Sequence, residues 1–99
     1  LCKVWLKFNQ DTPSTLDSFN VTSVTDSSTG LFLLNIANDF NSVNHTVMCT
    51  HEAETVFNDN VSYNEIDNSS AGQDKIYVAE NGAVRDCKNV NVTDFGDLA

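Results

Sequence analysis

The side chains best suited to nucleophilic or metal chemistry in this 99-residue sequence are Cys2, Cys49 and Cys87, His45 and His51, and fourteen carboxylates. Their spacing discourages most of that chemistry. No CxxC pair or Cys/His cluster occurs, and His45 and His51 flank Cys49 without zinc spacing. On a strand, residues six apart lie about 20 Å from one another, so a Cys49–His nucleophile–base pair is not expected. GxGxxG, P-loop, HExxH and GxSxG motifs are all missing. Asp59, Glu65 and Asp67 with their neighbouring Asn side chains offer hard oxygen ligands, yet lack the EF-hand pattern of acids and Gly. Solvated loop carboxylates are the expectation there. No catalytic residue, metal or cofactor is assigned, and an enzyme is not expected.

Three cysteines cannot all pair within one chain. Buried thiols, behaving as small hydrophobes, are the first reading; a Cys2–Cys87 bridge joining the two ends is the alternative. Five Lys and Arg against fourteen Asp and Glu leave a net charge of −9. Phosphate backbones and anionic membranes are poor partners for such a chain, which favours solubility or a basic or uncharged partner. No apolar run reaches the length of a membrane helix and none resembles a signal peptide. The sequence begins at Leu1 rather than Met, which a processed precursor and an omitted N-terminal stretch explain equally.

The elements that must position these residues are short and β-rich. Residues 2–8 alternate, with Cys2, Val4, Leu6 and Phe8 facing one way and Lys3, Trp5 and Lys7 the other. Trp5 among lysines calls for cover, either from the Lys3 and Lys7 stems or from a neighbouring subunit. Residues 17–40 read as one hairpin: Phe19, Val21 and Val24 inward on the first arm, a turn through residues 26–30, and a return arm apolar on both faces from Leu31 to Ile36. A strand is expected at 45–51. Residues 58–72 read as a long exposed loop with a short strand near 61–63, and long ordered loops are frequently functional. Asn58, Asp59, Tyr63, Glu65 and Asp67 are its candidate binding residues. Asn81-Gly82 signals a second hairpin, and residues 89–95 close the chain with Val90 and Val92 inward. Turn-separated strands without a helical period predict a single all-β domain, a small antiparallel β-sandwich of jelly-roll-like character.

Val4-Trp5-Leu6-Lys7-Phe8-Asn9, the run from Asp17-Ser18-Phe19-Asn20-Val21-Thr22 to Asp26, and Thr29-Gly30 together resemble a small β-domain found across tailed bacteriophages, often at the C-terminal tip of tail fibres. The ending from Val92 to Ala99 is similar to that family's closing strand, which is more apolar where Thr93 and Asp94 stand here. The resemblance covers the first forty residues well and the last ten moderately. It implies a virion structural protein made in the bacterial cytoplasm and located on a tail fibre, appendage or capsid surface. Such a domain is a homotrimer that contacts other virion proteins and a host-surface glycan or protein, and Trp5 would pack at or near the subunit interface. A capsid decoration, cement or head-fibre protein is the alternative. A glycosylated cell-surface ectodomain is the reading from a different class. Asn20, Asn44, Asn60, Asn68 and Asn91 each begin a glycosylation sequon, but so Asn-, Ser- and Thr-rich a chain yields roughly two or three by chance.

Overall fold

A computed structural model describes residues 1–52, 62–80 and 83–99, with side chains at all of these except 62–65 and 67–69. The described residues form nine strands and no helix: β1 (Cys2–Asn9), β2 (Ser14–Phe19), β3 (Val21–Ser28), β4 (Leu31–Ile36), β5 (Thr46–Thr50), β6 (Ser62–Ser70), β7 (Gln73–Glu80), β8 (Ala83–Val84) and β9 (Val90–Phe95). One sheet has the order β2-β1-β9-β5, and the second β3-β4-β7-β6 with β8 paired to β7. Every pairing is antiparallel. The chain is the all-β sandwich that its short turn-separated strands predict.

The core forms where alternation aims it. Val4, Leu6 and Phe8 of β1, Phe32, Leu34 and Ile36 of β4, Ile76 and Val78 of β7, and Val90 and Val92 of β9 are buried in one cluster. Phe8 and Phe32 meet across it with ring centroids 5.1 Å apart. The three cysteines are unbridged, Cys87 buried and the other two half-buried. No bridge joins Cys2 to Cys87; the Cys2 thiol lies 3.1 Å from the Val4 carbonyl.

Two expectations need correction. Residues 17–40 are not one hairpin, because the first arm is divided between the sheets. Asn20 adopts the left-handed conformation, φ 59°, and turns the chain out of β2 and into β3. Asn tolerates this region because its short amide can bond locally. Its amide donates to the Lys3 and Asn38 carbonyls, its Oδ1 accepts from the Asn38 backbone and side chain, and its carbonyl accepts from Ala37. The corner reverses the facing of Phe19, which is 56% exposed rather than inward. Val21, one residue beyond the corner, packs against the core as expected, and so does Val24. The remainder, β3 and β4, is a true hairpin around Thr29 and Gly30. Gly30 has φ +75°, and a Cβ there would lie 2.7 Å from the Val78 carbonyl oxygen.

The second correction is residues 58–72, which are not one loop. Ser62–Ser70 is a nine-residue strand at the edge of the second sheet, paired along β7. Its polar sequence hid it, since a strand covered on at most one side needs few apolar residues. Residues 53–61 and the Asn81-Gly82 turn lie outside the described residues. Among those described, no helix is long and apolar enough to cross a membrane.

Asn20→Ala is expected to lower unfolding stability by about 2 kcal/mol, combining left-handed strain with lost hydrogen bonds. Asn20→Gly, which relieves the strain but not the lost bonds, is expected to cost less. Urea unfolding of both variants checks the order, and equal losses would contradict the corner's dependence on its dihedral angle.

Candidate functional site

The residues singled out by sequence fall in separate places. Asn58 and Asp59 lie outside the described residues. Tyr63, Glu65 and Asp67 belong to edge strand β6, in register with Ala79, Tyr77 and Lys75. Trp5 sits at the middle of the outer face of the first sheet. Cross-strand register places Phe19 of β2 beside Trp5, Thr93 of β9 on its other flank, and Met48 of β5 beyond Thr93. Phe19 and Met48 are 56% and 54% exposed, and Trp5 is half-buried. This row therefore crosses the whole sheet, with only Thr93 polar. The row beside it is polar: Lys7 donates to Asn91 Oδ1 at 3.3 Å, and Asn91 donates to Thr50 Oγ1 at 3.3 Å. Toward β2, the next member of the row after Trp5 is Phe19. There the row runs into a cleft of about 590 Å³, lined mainly by apolar groups of Leu1, Phe19, Val21, Ala37 and Leu98.

Inside the sandwich the structure assembles what sequence spacing could not. His45 precedes β5, Asp74 lies near the start of β7 and Asp94 near the end of β9, and all three are buried. His45 Nε2 stands 2.7 Å from Asp74 Oδ1 and 3.9 Å from Asp94 Oδ2. The ring stacks on Phe40 with centroids 4.2 Å apart, and its Nδ1 lies 3.3 Å from the Ser42 carbonyl oxygen. Asp74 Oδ2 and both carboxyl oxygens of Asp94 are buried in the interior. Two carboxylates so close in a dry interior cannot both ionise readily. Burial, then the hydrogen bond to Asp74 and the Asp74 charge, with a smaller effect from Cys2, push Asp94 up to about 9. Near neutrality Asp94 therefore keeps its proton and shares it with Asp74. Burial, followed by the Asp94 charge, pushes the Cys49 thiol up to about 12. A thiol that holds its proton so firmly is a poor nucleophile, in keeping with the spacing of Cys49 from both histidines.

A second triad occupies the other ends of the same three strands. His51 just after β5, Glu80 at the end of β7 and Cys87 ahead of β9 bring one ligand atom each to within 4.8 Å of one another. The sequence signal for either triad was faint. Asp74, Glu80 and Asp94 occupy inward strand positions, in phase with Ile76, Val78, Val90 and Val92, and an inward carboxylate is itself a signal of something paired.

The Asp94 shift makes stability depend on pH with a defined sign. A folded-state value raised above the unfolded one stabilises fully below about pH 4 and is lost as pH rises toward about 9. The slope is at most about 1.4 kcal/mol per pH unit. Asp94→Asn, neutral throughout, is expected to decline less than the parent between pH 5 and 9 in thermal unfolding. Parallel curves for the two proteins would refute the shared proton.

Comparison with known protein families, with characterised proteins and with solved structures finds no match to this chain.

Proposed function

We propose that this chain is a non-enzymatic assembly and attachment domain of a bacteriophage virion, a tail-fibre or appendage tip module working as a homotrimer. The observation that carries the assembly half is the row Phe19–Trp5–Thr93–Met48 on the outer face of the first sheet, continued by the apolar cleft beside Phe19. An acidic chain that leaves two large apolar side chains more than half exposed in one cross-sheet row presents a surface suited to burial against protein. The phage assignment draws on the likeness of residues 4–9, 17–26 and 29–30 to the tail-tip β-domain. In this reading the host-facing surface is β6 and the residues before it, where Asn58, Asp59, Tyr63, Glu65 and Asp67 fall. The partners are copies of the same chain, other virion proteins and a glycan or protein of the host surface. No catalytic step is assigned.

Trp5 is the single tryptophan of the chain, so its emission reports directly on this face. Sedimentation at rising micromolar concentration is expected to show a trimer, with Trp5 emission shifting to the blue as it forms. Replacing an anchoring side chain by serine removes about 1.5–3 kcal/mol of burial, so Phe19→Ser and Met48→Ser should each weaken assembly about tenfold or more. A monomer throughout, with unchanging emission, contradicts the trimer. Gold-labelled antibody on virions would place the chain at a tail tip; labelling of the capsid lattice would favour the decoration reading instead.

A further inference from the structure

We propose that His51, Glu80 and Cys87 form a zinc site at the end of the sandwich opposite the His45–Asp74–Asp94 triad. The donors are an imidazole, a carboxylate and a thiol, the three kinds of side chain that zinc takes in proteins. They come from residues 29 and 7 apart in sequence, so the site exists only in the folded chain. Their ligand atoms lie within 4.8 Å of one another. Tetrahedral bonds of about 2.0–2.3 Å place ligand atoms roughly 3.3–3.8 Å apart, so a contraction of about 1 Å brings these three to zinc-binding separation.

Burial favours a cation here. Glu80 is 1% exposed and Cys87 fully buried, and His51 is half-buried. A dication with one carboxylate, one thiolate and one neutral imidazole is a charge-neutral unit, which lowers the cost of keeping an acid in the interior. Binding releases the Cys87 thiol proton to solvent. Calcium and magnesium are disfavoured because each wants six or more oxygen ligands, and one carboxylate is offered. Thiolate and imidazole together select zinc from the common divalent ions.

A separate observation lies behind Cys87. Gln10 is fully buried and grips the Cys87 backbone twice, donating its N–H to the Cys87 carbonyl at 3.0 Å and accepting the Cys87 N–H on Oε1 at 3.0 Å. Its other side-chain polar atom, Nε2, is buried with no hydrogen-bond partner among the described residues. A buried amide donor on the side chain that holds Cys87 is suited to a thiolate sulfur, the acceptor that zinc binding creates. Hydrogen bonds of this kind fix a ligand and tune its basicity.

The test uses the full chain, stripped with a chelator and titrated with Zn²⁺, then with Co²⁺ as a spectroscopic probe. One ion per chain is expected, with a near-ultraviolet thiolate-to-cobalt band. That band should persist in Cys2→Ser and Cys49→Ser and vanish in Cys87→Ser. His51→Gln and Glu80→Gln should each weaken Zn²⁺ binding at least about tenfold while circular dichroism stays that of the parent. Failure of the folded chain to bind Zn²⁺ at micromolar concentration overturns the proposal. So does a cobalt band that survives Cys87→Ser, an affinity unchanged by His51→Gln, or binding abolished by His45→Gln alone.

Discussion

The left-handed corner at Asn20 is the constraint on which the two sheets depend. Five hydrogen bonds converge on this one residue, tying β1 through Lys3 and the segment after β4 through Ala37 and Asn38. An extended chain would have carried β2 straight on into β3 within one sheet. The corner ends pairing with β1 at Phe19 and begins pairing with β4 at Val21. Neighbouring apolar residues thereby acquire opposite fates, Phe19 on an outer surface and Val21 against the core. The exposed row around Trp5 is a direct product of that divergence.

The interior is organised by a different economy of charge. Between the apolar layers of β1, β4, β7 and β9 stand two polar triads, one at each end of β5, β7 and β9. The His45 triad links the sheets, because His45 and Asp94 belong with the first and Asp74 with the second. Carboxylates facing one another there need a cation between them, and a proton on Asp94 supplies it. The 2.7 Å contact with His45 then gives Asp74 a partner across the interface. Such a contact adds geometric specificity to an otherwise non-directional core, since apolar surfaces slide where a short hydrogen bond does not.

Surface and interior thus point to different kinds of work. The outer face of the first sheet offers an apolar row bordered by the Lys7–Asn91–Thr50 ladder, a pattern of greasy centre and polar margin suited to protein contact. Thiol chemistry is suppressed at Cys49 by burial.

Much of the architecture was legible in the sequence, because alternation acts locally and strongly. Val4, Leu6, Phe8, Phe32, Leu34, Ile36, Val90 and Val92 announce their own facing, and Thr29-Gly30 announces a turn that only a residue at ease with positive φ can make. The long β6 was hidden, since a polar edge strand owes its existence to β7 beside it and not to its own composition. Phe19 was misjudged because a single left-handed residue resets the phase of alternation, and Asn20 gives little local sign of doing so. The triads were out of reach for another reason. Their members are separated by 29 and 20 residues in one case, and by 29 and 7 in the other. Local sequence decides which way a side chain points from its strand. Only the pairing of distant strands decides what it meets, because that depends on long-range register and on the packing of one sheet against another.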